Sequence, residues 1–242
     1  MKSYGQYCPM TMAMEVLGDR WTLQIVRDLM RGIGRFNELA RGLPGLSRAL
    51  LARRLREMEG NGLVERRVAA GGRLPEYHLT TAGRELQPVV MALVVWGTKW
   101  AFSDPQPVHL DPALLLWWLR GAVRRERLPA ERVVVQFDFT GACTLTMWLV
   151  LEREDVSVCL EEPGFGVDLL LTGDLAALYR VWGGRERFAG AMRRGLVTLD
   201  GPPALARAFP GWLGWDATTQ AQSAPGDVHH PMPEPGGVSD SR

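Results

Sequence analysis

The fold is decided by residues 47–63, which read SRALLARRLREMEGNGL. Leu51, Leu55 and Met58 follow one another at spacings of four and three, so they form one apolar stripe along a helix. Ser47 is a good N-cap, because its hydroxyl can accept a hydrogen bond from a free amide of the first turn. The stretch therefore predicts an amphipathic helix that begins after Ser47, ends at the glycines and faces a core with one side.

The opposite side of this helix combines small residues with arginines. Small residues let a backbone approach closely, and a guanidinium can bind phosphate or fork onto a guanine edge. This pattern predicts a helix that lies in a DNA groove, although the stretch alone leaves open a solvated helix with an arginine-rich face. The residues expected at the groove are Ser47, Arg48, Ala49, Ala52, Arg53 and Arg56.

The flanking segments predict a winged helix-turn-helix. A short helix over about 35–41 and a Gly/Pro turn at 42–46 precede the basic helix, which is typical of a helix-turn-helix. Two short strands, 63–68 and 76–79, then enclose a Gly/Pro loop and predict a β-hairpin. A basic hairpin in this position is typical of a wing that contacts the DNA backbone. The wing residues are Arg66, Arg67 and Arg73.

A long helix from Pro88 to about residue 102 carries a continuous apolar stripe. Val89, Leu93, Trp96 and Trp100 are spaced by four, three and four residues. Residues 1–104 form a small body in which to bury so many large groups, so we interpret the stripe as a dimerisation seam. The alternative is that the helix covers its own domain.

Composition and charge restrict the class of protein. The chain has 242 residues, of which 46% are hydrophobic, and it has neither an apolar run long enough for a membrane span nor a secretion signal, so we expect a cytoplasmic protein. Residues 1–104 hold 15 basic and 10 acidic residues, whereas residues 105–242 hold 13 and 17. The acidic half would be repelled by phosphate and is expected to face away from DNA.

The second half predicts a separate α+β domain. Residues 105–110 are a proline-containing linker, and Asp111 caps a helix from Pro112 to Arg125. Alternating apolar residues then predict strands that form an antiparallel sheet with helices on one side. The expected organisation is a winged-helix domain over 1–104, the linker, a ligand-binding domain over 111–216 and a disordered tail over 217–242.

Large apolar side chains are abundant in this second domain. They can form an ordinary core or line a cavity for an apolar ligand. The candidate ligand-binding residues are Trp117, Trp118, Phe137, Trp148, Tyr179, Trp182 and Phe188. We find no nucleophile–base pair, and three widely spaced cysteines form neither a disulfide framework nor a zinc pattern, so no enzyme, cofactor or metal is predicted.

Residues 7–101 resemble the HxlR family of bacterial winged-helix transcription regulators. The matching blocks are Cys8-Pro9, 18–23, 35–39, 43–47, Leu51 with 55–59, 62–64, 76–80 and Gly83. The resemblance implies a homodimer that binds a two-fold related double-stranded operator and pairs through its N-terminal and C-terminal helices. The dimerisation residues are then Met10, Met14, Val89, Leu93, Trp96 and Trp100.

Some members of that family use the cysteine of the Cys-Pro pair to sense oxidants. Cys8 is therefore a candidate redox residue, although Lys2 is the nearest basic residue in sequence and no second cysteine lies close by in sequence to form a disulfide. Redox sensing by Cys8 is therefore a hypothesis, which is wrong if Cys8→Ser leaves DNA binding equally sensitive to oxidant.

Residues 131–213 also resemble the sterol carrier protein type two domain, more loosely. The matching stretches are 167–169, 173–175, 178–183, 195–197, Leu199, Gly201 and 205–209. The resemblance implies a hydrophobic tunnel between sheet and helices. The combined prediction is a transcriptional repressor modulated by a small apolar effector. The alternatives are a dimeric lipid carrier without sequence-specific DNA binding and an enzyme that uses the C-terminal cavity.

Overall fold

The computed structural model describes residues 4–68 and 75–216. Its N-terminal part contains six helices and one β-hairpin among the described residues. The elements are α1 (Pro9–Leu17), α2 (Thr22–Met30), α3 (Phe36–Gly42), α4 (Arg48–Gly60), β1 (Val64–Val68), β2 (Pro75–Leu79), α5 (Thr81–Arg84) and α6 (Gln87–Trp100). The predicted helix-turn-helix and hairpin are therefore both present.

The hairpin is antiparallel and is joined to the start of α3. Val64 pairs with Leu79, and a single β-bridge joins Arg35 to Glu76. The Tyr77 amide donates a hydrogen bond of 2.8 Å to the carbonyl of Gly34. A Cβ on Gly34 would lie 2.7 Å from the Tyr77 carbonyl oxygen, so only glycine allows this close approach. The wing is thus held beside the helix-turn-helix.

In its described residues, up to 216, the C-terminal part contains a five-stranded sheet and four α-helices. The elements are α7 (Pro112–Ala122), β3 (Val133–Thr140), β4 (Leu145–Leu151), β5 (Val156–Cys159), β6 (Leu169–Asp174), α8 (Leu175–Trp182), α9 (Phe188–Arg193), β7 (Val197–Asp200) and α10 (Pro203–Trp212). Short 3₁₀ turns lie at Pro107–His109 and Arg125–Arg127. Asp111 caps α7 as predicted, accepting from the amides of Ala113 and Leu114.

The sheet is mixed, so the prediction of an antiparallel sheet is wrong in one pairing. The strand order is β5-β4-β3-β6-β7, and β3 and β6 are parallel while their other neighbours are antiparallel. After β5 the chain crosses to the far side of β3, so β6 enters in the same direction as β3. Residue alternation predicts the strands, but it carries no information on which strands become neighbours.

Two separate buried clusters lie on either side of the predicted 105–110 linker. The N-terminal cluster includes Ile25, Leu39 and Leu51, and the C-terminal cluster includes Phe137 and Phe209. All four C-terminal helices contribute buried side chains to the second cluster, together with alternate residues of β3. The sheet therefore buries one face under the helices.

Contacts between α3 and α7 join the two parts. Arg120 of α7 forms an ion pair of 3.4 Å with Glu38 of α3, and both side chains are largely buried. Trp117 packs beside Gly42 at the end of α3. The predicted tail, residues 217–242, lies outside the described residues. Within residues 4–68 and 75–216, we find no helix that is long and apolar enough to cross a membrane.

Candidate functional site

Helix α4 has the cap and the buried stripe that its sequence predicts. The Ser47 hydroxyl accepts a hydrogen bond of 3.2 Å from the Leu50 amide. Leu51 and Leu55 are completely buried and Met58 nearly so. These contacts fix the rotation of the helix about its axis, so its other side faces away from the core.

The predicted contact residues on that other side differ in how free they are. Ala49, Arg53 and Arg56 are exposed, and Ala52 is half-buried. The Arg53 guanidinium lies 3.7 Å from a Glu57 carboxylate oxygen one turn along the helix, a solvent-exposed pair that costs little to break. The exposed face of α4 thus combines two arginines, Arg53 and Arg56, with two small residues, Ala49 and Ala52.

Arg48 has a different environment from the other arginines of this face. Its guanidinium donates to Asn37 Oδ1 at 2.9 Å and lies 5.9 Å from the centre of the Phe36 ring. Both partners belong to α3, so Arg48 is directed toward the helix that precedes the turn. It can reach the edge of the groove only after releasing these contacts.

Arg54 is a residue that the sequence analysis missed. Its side chain is 13% exposed and pairs with Asp19, in the loop before α2, and with Glu57 at 2.6 Å. The pair with Asp19 joins α4 to the loop before α2, whereas the pair with Glu57 lies within α4. The Arg54–Glu57 spacing was visible in the sequence, but the contact with Asp19 joins residues 35 positions apart.

The two described arginines of the wing point to opposite faces of the hairpin. Arg66 and Arg67 are adjacent and exposed on β1, and successive side chains of a strand alternate between faces. Arg67 pairs with Glu65 on its own face, whereas Arg66 lies opposite Tyr77. Arg73, the third predicted wing residue, lies outside the described residues.

Helices α1 and α6 carry a large exposed apolar surface. The predicted stripe of α6 is 44% exposed at Val89, 49% at Leu93, 59% at Trp96 and 64% at Trp100. Within α6 only Val90 is buried. The side chains of Met10 and Met14 on α1 are exposed as well. These exposures agree with the prediction that the stripe faces outward and does not cover its own domain. An exposed apolar patch of this kind marks an interaction surface.

Cys8 is exposed and stands at the N-cap of α1. The backbone N–H groups of Thr11 and Met10, together with the Thr11 hydroxyl, lower the pKa of the Cys8 thiol. Donors at a helix N-terminus stabilise a thiolate in this way. Cys143 and Cys159 both lie in the C-terminal part, far from Cys8 in sequence.

A cavity of about 560 Å³ lies between the N-terminal and C-terminal parts. Its lining comes from α2, the turn after α3, the segment after α6, α7 and α8. Of the seven predicted ligand-binding residues, Trp118, Tyr179 and Trp182 line it. This cavity is bounded on one side by the helix-turn-helix and so does not lie inside the C-terminal domain alone, and the predicted ligand site stays a prediction.

The other four predicted ligand-binding residues lie elsewhere. Phe137 and Phe188 are packed into the core, where each stands within 6.4 Å of Phe209 between ring centres. Trp117 packs against the end of α3, and Trp148 pairs with Gln136 on the sheet face opposite to the core. The residue types alone do not show which of these aromatic side chains lie in the core, which at the contact between the two parts and which in the cavity.

Aromatic side chains of α7 and α8 form one wall of the cavity. Trp118 stacks on Trp182 with 4.5 Å between ring centres and an angle of 16°. The Tyr179 hydroxyl donates to the Asp111 carbonyl at 2.9 Å, and burial raises the pKa of Tyr179 to about 12. Tyr179 therefore stays protonated and holds α8 to the start of α7. No group of three metal-ligating side chains occurs within residues 4–68 and 75–216.

The arrangement of α2, α3 and α4 with the β1–β2 hairpin defines a winged helix-turn-helix protein. The HxlR-like helix-turn-helix family matches residues 16–105. The chain belongs to this family. The match ends before α7, so the sterol-carrier resemblance of residues 131–213 stays a prediction.

The relatives of this chain are bacterial regulators. It is 36% identical over 99 residues to the uncharacterised HTH-type transcriptional regulator sll1512 of Synechocystis, covering 40% of this chain and 72% of that protein. It is 37% identical over 113 residues to the uncharacterised HTH-type transcriptional regulator YvaP of Bacillus subtilis, covering 46% and 96%. The structure of the reduced transcriptional regulator YodB of B. subtilis is 36% identical, covers 40% of this chain and 96% of that chain, and superposes with a TM-score of 0.36.

Proposed function

We propose that this chain is a DNA-binding transcriptional regulator, acting as a repressor, in which α4 is the reading helix. The observation that supports this most directly is the orientation of α4. Its Ser47 cap, its buried leucines and the ion pair of Arg54 with Asp19 hold one face inward, while Arg53 and Arg56 are exposed on the other, Arg53 in an exposed pair with Glu57. The wing lies directly after this helix, and the relatives are transcriptional regulators of the helix-turn-helix type.

The active form is a homodimer that pairs through α1 and α6. Exposed apolar side chains cover α6 on nearly every side, and α1 adds exposed methionines. Burying this apolar surface against a second copy is favourable, with a free energy of about 25 cal/mol for each Å² removed from water. A two-fold dimer presents two α4 helices, which read half-sites about 34 Å apart.

The C-terminal domain is the effector domain. Its contacts with α3 connect it to the helix-turn-helix, and the cavity between the two parts contains aromatic side chains from both. A small apolar effector changes the DNA affinity only if it binds the two states of the dimer unequally.

The proposal is tested by fluorescence anisotropy with the DNA upstream of the protein's own gene and a random duplex of equal length. We expect tighter binding to the upstream fragment and a steep loss of affinity with salt, because phosphate contacts release counterions. The variant Arg53→Ala should weaken binding, whereas Arg193→Ala on the exposed side of α9 should not. An absence of binding to either duplex at low salt would overturn the proposal.

A further inference from the structure

One wall of the cavity between the two parts is the turn of the helix-turn-helix itself. Gly42, Leu43 and Pro44 line it, and this turn leads directly into Ser47, the cap of α4. Trp21 lines it as well and lies 3.9 Å from the position that a Cβ of Gly45 would occupy. A molecule in the cavity would therefore touch the segment that sets the position of the reading helix.

Trp21 also connects the cavity to α2, the helix that precedes α3 and α4. Its φ of +84° makes it the one non-glycine residue with positive φ in the described part of the chain. This conformation is costly for a bulky side chain and persists only where the surroundings hold it. Because Trp21 is the N-cap of α2, a change in its contacts alters the start of that helix.

The opposite wall can hold a flat apolar group. The stacked pair of Trp118 and Trp182 forms part of it, and rings of this kind bind other flat rings by offset stacking. The indole N–H of Trp118 is buried and has no hydrogen-bond partner among the described residues. Protein atoms cover this N–H, so a ligand on this wall would be held by ring stacking and not by a hydrogen bond to it.

The rim of the cavity carries a positive charge that is only weakly neutralised. Arg185 lies 3.4 Å from Asp104, whose side chain is 67% exposed. Its guanidinium also donates a hydrogen bond to the Phe102 carbonyl and lies 5.9 Å from the centre of the Phe102 ring, and neither of these contacts neutralises its charge. An ion pair with so exposed a carboxylate contributes little, and an acidic ligand group can take its place. The cavity's other arginines, Arg27 and Arg180, are tied to the more buried carboxylates of Asp28 and Glu186.

We propose that this cavity is a ligand site for a flat aromatic molecule with one acidic group, and that its occupancy changes the affinity of α4 for DNA. The rings lie beside Trp118 and Trp182, and the acid pairs with Arg185 in place of Asp104. A volume of about 560 Å³ suits a small ligand of this class. The second half of the proposal rests on the proposed function, and the first half does not.

The first experiment is calorimetric titration of the full chain with naphthoate. We expect saturable binding of one molecule per chain. Ser103 and Val108 are exposed residues that line the cavity, so Ser103→Trp and Val108→Trp fill it without removing packed side chains. Each should weaken binding at least about ten-fold, whereas the matched control Ala130→Trp, in an exposed loop away from the cavity, should not.

Thermal unfolding of each variant shows whether it is folded. Folded filling variants that bind naphthoate as tightly as the unchanged protein would overturn the site. So would the absence of any binding by the unchanged protein.

The second experiment tests the acidic group. Naphthalenemethanol has the same rings without the charge, and we expect naphthoate to bind more tightly. Arg185→Gln should remove most of this preference, and Arg193→Gln, on the exposed face of α9, should keep it. Equal binding of the two compounds to the unchanged protein would overturn the role of Arg185.

The third experiment measures DNA binding by anisotropy with and without saturating naphthoate. We expect a change in the dissociation constant of about five-fold or more, which is absent in Ser103→Trp. Binding of naphthoate with an unchanged DNA affinity would overturn the coupling. A chain that binds naphthoate but no DNA would instead contradict the proposed function, so the two failures are distinguishable.

Discussion

Trp117 of α7 packs against Gly42, the last residue of α3, so closely that a Cβ on the glycine would lie 3.1 Å from the indole Nε1. The same Cβ would lie 3.1 Å from Oδ2 of Asp28, which is buried in α2. This contact brings the C-terminal part of the molecule against two helices of the helix-turn-helix. It explains why a glycine ends α3 at this position.

We expect Gly42→Ala to lower the free energy of unfolding by about 1–3 kcal/mol, because a methyl group must displace packed atoms on two sides. Urea denaturation measures the change. Gly60→Ala is the matched control, since a Cβ there meets nothing within 4 Å at the end of α4, and it should stabilise the helix by about 0.5–1 kcal/mol. Equal effects of the two substitutions would contradict the close packing at Gly42.

We expect the buried carboxyl of Asp28 to make the free energy of unfolding depend on pH. Burial raises the pKa of this carboxyl against the opposing effect of Arg27, and Oδ2 has no hydrogen-bond partner among the described residues. Between the unfolded pKa of about 4 and the raised folded value, the native state binds more protons than the unfolded state. This carboxyl therefore makes stability fall as the pH rises through that window. Asp28→Asn should remove this component from melting temperatures measured across the window, and an unchanged profile would show that another group causes it.

Arg53 is expected to read a base. If its guanidinium forks onto a guanine, Arg53→Ala should cost about 1–3 kcal/mol of operator affinity and relax specificity at one base pair. Anisotropy with a set of operators, each changed at a single base pair, measures both effects. An equal loss on random DNA would show that Arg53 contacts phosphate instead.

The exposed stripe of α6 predicts the oligomeric state. Leu93→Asp places a charge in the middle of the proposed dimer surface, where burial without a partner is costly. We expect sedimentation velocity to show a shift from dimer to monomer. Leu160→Asp changes a leucine that is 68% exposed in the C-terminal part and should leave the dimer intact. A dimer that survives Leu93→Asp would place the interface elsewhere.

The lowered pKa of Cys8 predicts its reactivity. Alkylation by iodoacetamide should reach half its maximal rate at a lower pH in the folded protein than in the urea-unfolded protein, because the thiolate is the reacting form. Mass spectrometry of the peptide that contains Cys8 follows the reaction. The hypothesis of redox sensing makes a separate prediction, that Cys8→Ser abolishes the sensitivity of DNA binding to oxidant. If the variant stays equally sensitive, that hypothesis is wrong.

The N-terminal half was predictable because its signals are local. The period of Leu51, Leu55 and Met58 and the Ser47 cap depend on residues within two helical turns of each other, and the hairpin pairs two strands that follow one another in sequence. In this half the sequence analysis missed Arg54, because its partner Asp19 is distant in sequence and only the packing of α4 brings them together.

In the C-terminal half, local sequence patterns predict the strands but neither their pairing nor the surroundings of individual side chains. Its strands were predicted from alternation, but the parallel pairing of β3 and β6 follows from the path of the chain after β5. Its aromatic residues were predicted to share a ligand site, yet Phe137 is in the core while Trp118 lines the cavity. Both are large apolar side chains, and neither residue type nor spacing distinguishes these positions.

The sequence by itself thus determined the winged helix-turn-helix, the exposed arginines of α4 and the apolar stripe of α6. These features arise from periodicity, caps and turns, whose energies act over a few residues. The tertiary structure alone decided where the proposed ligand cavity lies, because the cavity exists only where α7 and α8 meet the turn after α3. Its walls come from residues as far apart as Trp21 and Arg185, and only the packing of the two parts brings them together.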